Sequence, residues 1–172
     1  MSLHPLLGDS GAEPQSLQHR ARGKRAIRGH KCGKWVKANA TEVFVLYFAR
    51  NPIGQVFPET MYELADTEAR IPDLSVMLNE QLVEVEGEGL YGPAPVLAVE
   101  VVSSESAAAL ENKVELYLEK GCRTVLALYP DQRSVRLFDR TGASRLLRGD
   151  QLVEIDWLAG FAVPTERFFK GV

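Results

Sequence analysis

Cysteine is scarce in this chain. Cys32 and Cys122 are the only two among 172 residues, far apart and without ligand-like spacing. A disulfide framework and a cysteine-based zinc site are therefore excluded, and both residues read as ordinary thiols of a reducing compartment. Long apolar runs are missing too: none approaches the roughly 18 residues needed to span a bilayer. The start, Met1-Ser-Leu-His-Pro5, has no charged region leading into an apolar stretch, so no secretory signal is read there. Internal repeats and low-complexity tracts are also lacking. These absences suggest a cytoplasmic protein without a membrane partner. Finally, no acidic residue occurs between Pro14 and Thr41.

That last gap is filled with cations: Arg20, Arg22, Lys24, Arg25, Arg28, Lys31, Lys34 and Lys37. They are eight of the 20 Lys and Arg residues, and the other 12 face 23 Asp and Glu, so a net charge of −3 conceals a basic arm on an acidic body. Such an arm can neutralise phosphates, although a solvated helix face has the same composition. With 45% hydrophobic and 25% charged residues the chain suits one well-buried core. Residues 1–22, rich in Gly, Pro, Ser and Gln, read as a poorly ordered segment, and residues 23–172 as a single domain.

A helix is expected from about Arg25 to Arg50, although Val43-Phe-Val-Leu-Tyr-Phe48 has strand-like composition; Asn51-Pro-Ile-Gly54 stops it. Strands follow at about 54–58, 61–66 and 70–78. The acidic segment with Glu80, Glu84, Glu86 and Glu88 reads as a solvated hairpin or loop. Pro95-Val-Leu-Ala-Val-Glu-Val-Val102 is a strand apolar on both faces, followed by a helix capped by Ser104 or Ser106 and halted at Gly121. Strands at 125–129, 134–138, 144–147 and 152–155, a turn at 158–161 and a short helix at 164–169 complete a mixed α/β domain.

Glu100 is the residue out of place. An unpaired carboxylate in a strand buried on both faces costs several kcal/mol, roughly, so it needs a metal, a cation or a proton. Asp73 follows Pro72 at the beginning of a strand, where period-two alternation puts it on the face of Ser75 and away from Leu74, Val76 and Leu78. Alone, an Asp after Pro is more often a turn residue than a ligand. Lys113 falls within the apolar arc of Leu110, Val114, Leu116 and Tyr117, opposite Glu111, Glu115 and Glu119. It is either a snorkelling lysine or a partner delivered to Glu100 by the helix folding back on its own strand. Two carboxylates and a lysine at one end of a sheet suit Mg²⁺ and metal-assisted phosphodiester hydrolysis.

The strings Ile71-Pro-Asp-Leu-Ser-Val76, Gly92-Pro-Ala-Pro-Val-Leu-Ala-Val-Glu-Val-Val-Ser103 and Lys113-Val-Glu-Leu-Tyr-Leu-Glu-Lys-Gly121 resemble the Uma2 (DUF820) endonucleases of the PD-(D/E)XK superfamily. The resemblance continues through Val125–Val135 and Leu158–Pro164. It implies a restriction-endonuclease-like core, with a central mixed β-sheet flanked by helices. It also implies Mg²⁺ (or Mn²⁺) held by Asp73 and Glu100, Lys113 as the catalytic lysine, a DNA substrate and a homodimer. Arg25, Arg28, His30, Lys31 and Lys34 are the candidate nucleic-acid contacts.

Two departures stand out. Val102 occupies the position, two after the glutamate, where the general superfamily pattern has its lysine. His30 fits a histidine that relatives place at a helix start, but the glutamate they carry before it has only Glu13 as a counterpart. Tyr117 reads as core and Ser103 as a helix cap. Two alternatives stay open: a catalytically degenerate nuclease-fold module that binds nucleic acid or a partner, and a structural Glu100–Lys113 ion pair.

Overall fold

Val36, Ala40, Val43, Phe44 and Phe48 recur at helical spacing, and this stripe is what helix α1 (Gln15–Arg50) buries. The computed structural model describes residues 15–65, 68–82, 94–103 and 105–172, with side chains from Cys32 onward. The strand-like run Val43–Phe48 is helical here. Its β-branched and aromatic residues serve the buried stripe, and tertiary burial outweighs local propensity. The helix also begins ten residues before the position the sequence suggests. Pro52 ends it, with both the amide and the side chain of Asn51 donating to the Tyr47 carbonyl at 3.0 Å.

The sheet has six strands in the order β1 (Gly54–Pro58), β4 (Leu74–Leu78), β5 (Leu97–Val101), β6 (Thr124–Tyr129), β7 (Ser134–Asp139), β8 (Ser144–Arg148). Neighbours are antiparallel except β5 and β6, which run parallel and are joined by helix α3 (Ala107–Glu119). A hairpin of β2 (Tyr62–Ala65) and β3 (Glu68–Arg70) lies between β1 and β4 in sequence, and β9 (Leu152–Glu154) pairs with β10 (Ala162–Pro164) near the end. The expected strand 70–78 is thus split: Ile71-Pro-Asp73 separates β3 from β4, because Pro72 cannot donate to a ladder. Glu80 lies in a helical turn, α2 (Asn79–Leu82), while Glu84, Glu86 and Glu88 fall outside the described residues.

Period-two alternation sorts the strands between two cores. Leu74, Val76, Leu97, Val99, Leu126 and Leu128 face α1 and the closing segment with Phe161, Phe168 and Phe169. Phe161 stacks on Phe44 with ring centres 5.1 Å apart, and Tyr47 meets it edge-on at 5.3 Å. Met77, Ala98, Val125 and Ala127 face α3 with its Leu110, Val114 and Tyr117. Ala98 and Ala127 are small, which lets α3 settle close to the strands. Ser106 caps α3 by accepting from the Ala109 amide at 3.2 Å, and Gly121, at φ +101°, ends it.

Gly54 marks a close approach, since a Cβ there would stand 2.6 Å from the Met77 carbonyl oxygen and 3.2 Å from the Phe48 ring. Gly54→Ala is expected to lower the melting temperature by about 2 °C or more through this overpacking. Thermal unfolding followed by circular dichroism checks it.

Candidate active site

Leu74 pairs with Val99 and Val76 with Leu97 in the antiparallel β4–β5 ladder. One step further in the same register, Asp73 faces Glu100. The Asp73 charge is near enough to bear on the Glu100 carboxyl, and like charges there repel. The sequence therefore sets two carboxylates against each other at the edge of the core.

Asp73 has left the ladder after Pro72, yet its side chain continues the pairing. Oδ2 accepts from the Val101 amide at 2.6 Å, replacing a backbone carbonyl. Oδ1 receives the Lys37 ammonium at 2.6 Å, and the same Nζ reaches Glu59 Oε1 at 2.8 Å. Lys37 arrives from α1, one turn beyond the buried Gly33, where an added Cβ would lie 3.9 Å from the Val101 side chain. That proximity brings the helix over the ends of the strands.

Glu100 is only 5% exposed. Its Oε2 lies 3.2 Å from Lys113 Nζ, and its Oε1 accepts from the Tyr117 hydroxyl at 3.0 Å. Lys113 and Tyr117 stand four apart on α3, so both reach the same carboxylate. Lys113 is also held by Glu105 Oε1 at 2.9 Å.

Burial is the largest influence on Glu100 and raises its pKa; the neighbouring charge of Asp73 adds to the rise, while Lys113 and the Tyr117 hydrogen bond only partly oppose it. Burial alone would lower Lys113, but its hydrogen bonds and charge contacts with Glu105 and Glu100 outweigh that and raise it. Lys37 behaves alike, with Asp73 and Glu59 overcoming burial. Tyr117 is pushed far up by burial and by the Glu100 charge, so it stays a neutral donor. The important asymmetry lies at Glu100. One ammonium does not offset the loss of water together with a second carboxylate.

The structure thus gathers Glu100, Lys113, Glu105 and Tyr117 in one cluster and Asp73, Lys37 and Glu59 in another, at the ends of neighbouring strands. Tyr117 is core, as its spacing suggests, but its hydroxyl also serves the site. Lys37 was hidden within the basic run, because its acidic partners, Glu59 and Asp73, are distant in sequence. Glu105 lies between strand and helix, where no periodicity marks it. Lys34 is an exposed side chain of α1, whereas the side chains of Arg25, Arg28, His30 and Lys31 lie outside the described residues. A cavity of about 290 Å³, lined by Ser103, Glu105, Tyr129 and Arg136 among others, opens beside Glu105. Among the described residues no group of three or more His, Cys, Asp and Glu side chains could hold a metal ion.

Residues 29–166 match the family model described as "Uma2: Putative restriction endonuclease". The chain belongs to the Uma2 family. Its fold is similar to the crystal structure of "a putative nuclease belonging to DUF820" from Anabaena variabilis, with a TM-score of 0.71, 18% identity and 79% of each chain covered. No curated protein matches the chain. The nuclease-like fold and the central mixed sheet flanked by helices, which the resemblance implies, are both present, and the sheet has six strands.

The raised pKa of Glu100 has a sign that stability measurements can read. A carboxyl that holds its proton more tightly folded than unfolded favours the fold at low pH, and that contribution is lost as pH rises through the folded pKa. Glu100→Gln is therefore expected to melt higher than the parent at pH 8, the gap closing toward about pH 4, near the ordinary glutamate pKa. Melting curves across that range test it; a lower melting temperature at pH 8 would contradict it.

Proposed function

We propose that this Uma2 domain is a divalent-metal-dependent endonuclease that hydrolyses DNA phosphodiester bonds. One observation carries the reading: Asp73 lies one step beyond the last β4–β5 pair, on the side of Glu100, and burial with the Asp73 charge raises the Glu100 pKa despite Lys113. The donor chemistry fits Mg²⁺ or Mn²⁺, which use oxygen ligands and commonly take one or two protein carboxylates, with water and substrate phosphate completing the shell. Asp73 and Glu100 would hold the ion. The chemistry such an ion supplies when bound is polarisation of a phosphoryl oxygen and acidification of a water.

The chain's own groups divide the remaining work. Lys113, fixed between Glu100 and Glu105, presents an ammonium that can orient a water or stabilise charge gathering on phosphorus-bound oxygens. Tyr117 keeps the Glu100 carboxylate in one orientation through its 3.0 Å hydrogen bond. Arg25, Arg28, His30, Lys31 and Lys34 lie along α1, and cations there would neutralise backbone phosphates without reading sequence. A homodimer would offer two such sites to the two strands of a duplex, and a cytoplasmic location belongs to the same reading. Among the described residues no helix is long and apolar enough to cross a membrane.

A second reading is a degenerate nuclease-fold module that binds without cutting. It draws on Val102 at the usual lysine position and on the lysine that already pairs with each carboxylate.

Plasmid cleavage in Mg²⁺ or Mn²⁺ separates the two. Asp73→Ala and Lys113→Ala should each lower the rate about 100-fold or more, the usual scale for removing one group that stabilises the transition state. Lys113→Ala should keep DNA binding in a mobility-shift assay. Undiminished cleavage by either variant would remove its residue from the assigned role, and no cleavage by the parent chain would favour the binding module.

A further inference from the structure

The two lysines of the site are not equivalent. Lys113 is pinned from both sides, by Glu100 at 3.2 Å and Glu105 at 2.9 Å. Lys37 lies on the one Asp73 oxygen that the backbone leaves free, because the Val101 amide occupies Oδ2 at 2.6 Å and Lys37 takes Oδ1 at 2.6 Å. A divalent ion on Oδ1 would stand within contact distance of this ammonium. Like-charge repulsion at such range makes the two cations rivals for one oxygen.

Lys37 also has somewhere to go. Its Nζ already touches Glu59 Oε1 at 2.8 Å, and the Glu59 side chain is 67% exposed, so the ammonium can leave Asp73 without losing its other carboxylate. Glu59 is held there at some cost. Its φ of 45° is left-handed, one of two such non-glycine residues among those described, and costs roughly 1 kcal/mol for a residue with a Cβ. Its amide donates to the Asp73 carbonyl at 3.3 Å, which ties this strained turn to the residue it serves. Strain of this kind persists where surrounding structure demands it, often at functional sites.

We propose that Lys37 is a displaceable internal counter-ion. It neutralises Asp73 while the site holds no metal and withdraws onto Glu59 when a divalent cation binds, so that it sets the ion concentration at which the site loads. The proposal rests on the metal-dependent reading above and adds a residue that opposes loading.

Calorimetric titration of the full chain with Mn²⁺ alone tests it. Lys37→Met should tighten binding by about tenfold or more, the scale of one charge-assisted hydrogen bond. Lys37→Arg keeps the charge and should remain close to the parent. Glu59→Gln removes the negative charge of the alternative partner and should weaken binding. Lys34→Met removes a cation one turn earlier on α1 that makes no ion pair with Asp73, and should leave the affinity close to the parent value. That outcome distinguishes direct competition from a general loss of positive charge; equal tightening in Lys34→Met and Lys37→Met would overturn the proposal. If the parent binds Mn²⁺ and Lys37→Met binds no tighter, Lys37 is not a competitor, and the metal-dependent reading stands. If neither binds, that reading falls and takes this proposal with it.

Discussion

A carboxylate buried in the middle of a sheet cannot be left alone, and the ordering of this domain around β5 follows from how Glu100 is accommodated. The cost of taking an ion out of water is several kcal/mol, roughly, even after relaxation. α3 meets part of it by returning along its own strand with Lys113 and Tyr117 on the buried face. Its close seat depends on Ala98 and Ala127 beneath it, and its start on the Ser106 cap. From the other side of the sheet, α1 brings Lys37 to Asp73 over the ends of β4 and β5. Helices on opposite faces thus send one ammonium each to the same pair of strand ends.

This arrangement is a poor way to gain stability. A buried ion pair at best breaks even against apolar side chains of similar size. A structural pair would also have no use for a second carboxylate opposite the first, which only deepens the repulsion. Pro72 makes that second carboxylate possible by ending the ladder before Asp73, so that its side chain and not its backbone meets the Val101 amide. Two acids forced together and incompletely neutralised suit a site meant to receive a cation of higher charge. The same tension explains why further partners, the exposed Glu59 and the half-buried Glu105, gather around the two lysines: each ammonium is shared, and neither is wholly committed to the acid it covers.

The sequence disclosed the centre of this network better than its edges. Glu100 was visible because one charge interrupts an unbroken β-branched run, and Lys113 because it breaks the apolar arc of a regular helix. Asp73 followed from Pro72 and from alternation, although the split between β3 and β4 did not. Lys37 was indistinguishable from its basic neighbours, since its partners lie 22 and 36 positions away in chain order and only the docking of α1 selects it. The Val43–Phe48 run was ambiguous for the opposite reason: its composition favours a strand, and burial of a continuous helical stripe decides against it. The early start of α1 had no apolar periodicity to announce it.

The central claim is that Glu100 stays under-compensated until a divalent ion arrives beside Asp73. The most direct measurement is the pKa of Glu100 itself, followed through its side-chain carboxyl carbon by NMR titration with and without Mg²⁺. The account predicts a value above the ordinary glutamate range in the absence of the ion and a marked fall when it is added. An ordinary value that Mg²⁺ leaves unchanged would contradict it.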